Sequence, residues 1–107
     1  MKIHRIVCLA AAIVIPQFAL AKLPFSNDAF GRVEGTLDFC VQADPQAAPN
    51  YQAQKRQMVR DVPEQEVSEA RSTQEYKDAY EWMSNELGKV PKDKAVQTCR
   101  VSLEGNK

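Results

Sequence analysis

Histidine is almost missing from this chain: its 107 residues include one, His4. Beyond His4, nucleophilic catalysis of the Ser-His-Asp or Cys-His kind has no imidazole base to draw on. Cysteine is scarce as well, and the three present, Cys8, Cys40 and Cys99, form no CxxC pair. A thioredoxin-type redox pair and a c-type haem attachment are therefore closed. A soft-metal site would need more thiolate or imidazole ligands than these, so neither metal nor other cofactor is expected. There is also no glycine-rich phosphate loop, no calcium-loop spacing, no internal repeat and no run with the alternation of a strand.

The first residues, MKIHRIVCLAAAIVIPQFALA, place Lys2, His4 and Arg5 before an apolar run that is broken by Pro16 and Gln17 and closed by Ala19-Leu20-Ala21. That is the pattern of a secretory leader, with cleavage expected before Lys22. The run is shorter than the ~20 residues of a spanning helix, so no membrane association is expected after cleavage. Removing 21 of 107 residues leaves a single small domain of 86, residues 22–107. The leader takes two of the 14 basic residues and none of the 14 acidic ones, so the exported chain carries 12 against 14 and a net charge of −2. Nothing in that balance suggests nucleic acid as a partner.

The remainder reads as helices separated by proline and glycine. Phe30, Val33, Leu37, Cys40 and Val41 recur at helical spacing, giving a first helix from about Ala29 to Ala43 that Asn27 or Asp28 could cap. Gly31 and Gly35 weaken it by up to ~1 kcal/mol each, so it should depend on packing. Asp44-Pro45 stops and restarts the chain, with Asp44 as the expected cap, and a second helix runs from Pro45 or Pro49 to Val62. Residues 63–88 read as a short helix, Glu64 to Arg71, and a longer one, Thr73 to Leu87, because Val67 and Ala70 are half a turn out of phase with Tyr76, Ala79, Tyr80, Met83 and Leu87; a single kinked helix is the alternative. A capping box of Ser72 and Glu75 is expected at that break, and Gly88 as the closing cap. Pro91 opens a last helix to about Glu104.

The fold class expected is therefore all-α: a small array of four to five short helices, stapled by one disulfide between the first and last. Cys40 shares a stripe with Val33 and Leu37, and Cys99 with Val96 and Leu103, so both sulfurs should face the core and meet if these helices are neighbours. Closing a loop of about 60 residues stabilises by roughly 4 kcal/mol in the chain-entropy picture.

Carboxylates offer the remaining chemistry. Glu34 with Asp38, and Glu64, Glu66 and Glu69, could be acid/base pairs or calcium ligands, but are expected to be solvated faces opposite the apolar stripes. Two aromatics lie off those stripes, Phe39 by about 150° and Trp82 by about 120°. Either they belong to a partner surface, where large aromatics are enriched, or their helices bury two faces.

In size, leader, helical pattern and two widely spaced cysteines, with Phe39 beside the first, the chain resembles in outline the small periplasmic acid-stress chaperones. Helical immunity proteins of contact-dependent secretion systems have a comparable outline. The expectation is thus a non-catalytic, protein-binding factor of a bacterial cell envelope, exported to the periplasm or beyond: an inhibitor, immunity factor or chaperone-like protein. The alternative is a small-molecule carrier, lined by Tyr51, Met58, Tyr76, Tyr80 and Met83, or a small enzyme using carboxylates.

Overall fold

The structure is a computed structural model and describes residues 23–104. The expected leader and its cleavage site lie outside those residues. Among them are five α-helices: α1 (Asn27–Ala43), α2 (Ala48–Met58), α3 (Glu64–Arg71), α4 (Gln74–Gly88) and α5 (Lys92–Glu104), with a 3₁₀ turn at Pro45–Ala47 between the first two. The fold is all-α, and a disulfide between Cys40 and Cys99 joins α1 to α5.

Ser26 starts α1, its Oγ accepting from the Ala29 N–H at 3.2 Å, with Asp28 placed in the first turn where the helix dipole favours it. The cap thus falls one residue before the positions the sequence suggested. The helix then buries Phe30, Gly31, Glu34, Gly35, Leu37 and Cys40, and every other helix packs against it. The glycines explain how α4 comes so close. A Cβ at Gly31 would stand 2.4 Å from the Tyr76 carbonyl oxygen, and one at Gly35 2.9 Å from that of Tyr80. Both contacts advance four residues together, so α1 and α4 run parallel with their backbones nearly touching. The residues that cost helix propensity are those that admit the partner helix.

Other boundaries shift for local reasons. Pro45 opens the 3₁₀ turn and Pro49 sits in the first turn of α2, where a missing N–H costs nothing. α2 ends at Met58 and not at Val62: residues 59–62 close in tight turns, with Val59 N–H donating to the Arg56 carbonyl at 3.3 Å, because Pro63 disfavours helical backbone just before it. The break between α3 and α4 falls as the phase argument requires, but Thr73 and not Ser72 caps α4. The Thr73 Oγ1 accepts from the Tyr76 N–H at 3.2 Å, while the Ser72 Oγ donates back to the Ser68 carbonyl. Gly88 is the last residue of α4, with no left-handed backbone, so the helix closes through Lys89.

Two apolar clusters result. One surrounds the disulfide, where Cys40 and Cys99 are fully buried with Leu37, Ala47 and Tyr51. The other joins Phe30 and Tyr76 to Val67 and Ala70. Phe25, Phe30, Tyr76 and Tyr80 follow one another through this second cluster, with ring centroids 5.3 to 5.8 Å apart. Val33, placed on the core stripe by its spacing, is instead exposed.

Candidate functional site

Three carboxylates from α1 and its C-terminal end form the polar framework of the molecule, and each is held by one cation and one tyrosine. Glu34, 1 % exposed, takes a bidentate pair from Arg71 (Nε to Oε1 at 2.8 Å, Nη2 to Oε2 at 2.6 Å), and the Tyr76 hydroxyl donates to Oε1 at 2.5 Å. Asp38 accepts from Lys55 Nζ at 2.7 Å and from the Tyr80 hydroxyl at 2.5 Å. Asp44, also buried, accepts from Arg100 (Nε at 2.6 Å, Nη2 at 2.8 Å) and from the Tyr51 hydroxyl at 2.9 Å. All three tyrosines of the chain are used in this way.

The expectation that Glu34 and Asp38 form a solvated face is therefore corrected. Glu34 lies four residues after Phe30 and three before Leu37, on the buried stripe itself, and Gly31 and Gly35 bring α4 down over it. Burial of a carboxylate is tolerable only with such pairing. Asp44, expected as a helix cap, makes no side-chain cap to the turn that follows. Glu64 and Glu69 are exposed as expected, and Glu66 is half-buried.

These contacts set the ionisation of the groups. The Arg100 hydrogen bond holds the Asp44 carboxyl below its ordinary value, overcoming the burial that pushes it up, with Tyr51 adding to the same end. Burial, then the Asp44 hydrogen bond, pushes the Tyr51 hydroxyl up to about 12. Tyr76 and Tyr80 are raised too, by burial first and then by hydrogen bonds to Glu34 and Asp38. Arg71 is raised by its hydrogen bonds to Glu34. Each of the three carboxylates is thus occupied by a cation and a phenol.

Of the two off-stripe aromatics, the structure exposes one and half-buries the other. Trp82 is 51 % exposed on α4, with the Arg32 guanidinium 5.4 Å above its ring. Arg32 is steadied in turn by Asp28, one turn earlier, at 3.4 Å. Phe39 packs against the cluster around the disulfide and borders a shallow depression with Tyr80 and Ser84. The two are not brought together. A depression of about 550 Å³, open to solvent, lies between α1, α2 and α5, lined by Val33, Leu37 and Met58 with Thr36, Gln54, Gln57 and Ser102.

Among the described residues, no cluster of three His, Cys, Asp or Glu side chains has the arrangement of a metal site. No helix there is long and apolar enough to cross a membrane. Compared with protein-family models, curated proteins and solved structures, the chain matches none.

Proposed function

We propose that the chain is a non-catalytic protein-binding factor of a bacterial cell envelope, an inhibitor, immunity factor or chaperone-like protein, and that Trp82 anchors its contact surface. The observation that carries this reading is the exposure of the single tryptophan on a helix that cannot shift without breaking its contacts to Gly31 and Gly35. A large aromatic with half its surface in water, held by a cation above its ring, has the character of an interface anchor. The leader-like N-terminus supports an envelope location. The engagement of Glu34, Asp38 and Asp44 by structural partners supports a role without catalysis.

A second reading, a small-molecule carrier, draws on the open depression beside Val33, Leu37 and Met58. Affinity capture from an envelope extract separates the two. The first predicts one polypeptide in stoichiometric amount, with Trp82→Ala weakening its binding by about 2 kcal/mol, roughly thirtyfold, at unchanged thermal stability. A co-purifying small molecule without a polypeptide would favour the carrier.

A further inference from the structure

Four cations from three helices converge on one side of the molecule. Lys55 and Arg56 of α2, Arg71 at the end of α3 and Lys77 of α4 line two adjoining depressions, about 470 and 360 Å³, that share Lys55 and Arg71. The smaller is completed by Gln52 and Val59 and has no acidic side chain in its wall. The larger includes Glu34 and Asp38, whose charges are matched by Arg71 and Lys55. Four cations against two carboxylates leave the groove formally +2, on a chain whose residues 22–107 sum to −2.

The groove is organised in advance. Glu34, buried beneath it, fixes Arg71 through Nε and Nη2, and the Arg71 side chain stays 42 % exposed. Asp38 fixes Lys55 in the same manner. Arg56 and Lys77, on either side of that pair, carry no ion pair among the described residues. An incoming oxyanion thus meets two cations whose ordering has already been offset by folding, and two more free to close on it.

We infer that this groove takes an acidic segment of a protein partner, one with at least two carboxylates spaced along an extended chain. Both depressions are shallow and open, so a lone small anion would remain mostly in water. A segment laid along them reaches Arg56, the Lys55 and Arg71 pair, and Lys77 in turn, against the apolar flanks of Val59 and Tyr80. The inference rests on the reading of the chain as a protein-binding factor and assigns the chemistry of the partner.

The test is calorimetric titration of residues 22–107 with a synthetic peptide of alternating Asp and Ser. Binding should weaken as salt is raised and fall at least about tenfold in the double variant Arg56→Glu, Lys77→Glu, as electrostatic complementarity requires. Those side chains are exposed and outside the ion pairs, so circular dichroism and melting should be unchanged. The matching variant Lys92→Glu, Lys94→Glu on α5 should bind as the parent does. No binding, or equal binding by both double variants, would overturn the assignment; so would tighter binding of inorganic phosphate or of a short single-stranded oligonucleotide than of the peptide. The titration needs no native partner. A failed titration beside an intact Trp82-dependent capture removes the groove alone, whereas an empty capture beside a successful titration removes the proposed function and leaves the groove's preference standing.

Discussion

The Tyr76 hydroxyl donates to Glu34 at 2.5 Å, and the Tyr76 backbone carbonyl faces the space where Gly31 has no side chain. One residue of α4 thus meets α1 twice, once through a buried hydrogen bond and once through backbone contact one turn earlier. The absence of a Cβ at Gly31 lets the phenol reach the carboxylate, and the carboxylate holds α4 at that distance.

Glu34→Ala should lower the unfolding free energy by about 3 kcal/mol or more, because it leaves a buried phenol and one face of Arg71 without their acceptor. Glu34→Gln keeps an acceptor for Tyr76 and should cost less. Urea denaturation of both variants and of Tyr76→Phe, run as a double-mutant cycle, checks the coupling; strictly additive losses would contradict it.

Glycine substitutions should separate packing from propensity. Gly88→Ala meets nothing within 4 Å and should be neutral or stabilise by up to ~1 kcal/mol. Gly31→Ala gains the same propensity but drives a methyl to 2.4 Å from the Tyr76 carbonyl oxygen, so it should destabilise by about 2 kcal/mol. Equal melting temperatures for the two variants would rule out the close α1–α4 approach.

The breaks between helices and the disulfide were legible in the sequence because both depend on local signals: proline at Pro45, Pro63 and Pro91, and two cysteines in core-facing phase. The carboxylate network was not. An acidic residue on an amphipathic helix is assigned to water by default, and the cations that reverse that assignment are remote, Arg71 lying 37 residues from Glu34, Lys55 17 from Asp38 and Arg100 56 from Asp44. One signal was present: Gly31 and Gly35, four apart and flanking Glu34, mark a face built for another helix. Read that way, the glycines place Glu34 in the interior. Trp82 was legible as off its stripe, but whether its second face was covered depended on the path of α1, which spacing does not specify.

The Cys40–Cys99 disulfide encloses the chain between positions 59 apart in sequence and is buried at both ends. Thiol counting on the oxidised, denatured protein should find no free thiol from either residue. Cys40→Ser or Cys99→Ser should each remove about 3 to 4 kcal/mol, comparable with the stability of a small domain. A melting temperature unchanged by either substitution would contradict the staple.

Stability should fall at both extremes of pH through the Asp44 cluster. The folded Asp44 carboxyl lies below its unfolded value of 3.8, chiefly because of Arg100, so its contribution is complete above that value and is lost as pH falls through the folded one. Tyr51 shifts the other way, from 10.0 to about 12, so its contribution is complete below 10 and lost as pH rises through about 12. Asp44→Asn should therefore lose stability relative to the parent at neutral pH, with the gap narrowing below about pH 4, and Tyr51→Phe should flatten the alkaline decline. A gap between parent and Asp44→Asn that stays constant from neutral to strongly acidic pH would refute this.

The reading of this chain as a protein-binding factor is tested most directly by a photo-crosslinking amino acid placed at position 82 of the full-length chain, in intact cells. The account predicts one discrete adduct joining the chain to a second polypeptide, absent when the same group replaces Lys94, an exposed residue of α5. No adduct at position 82, or the same diffuse adducts at both positions, would contradict it.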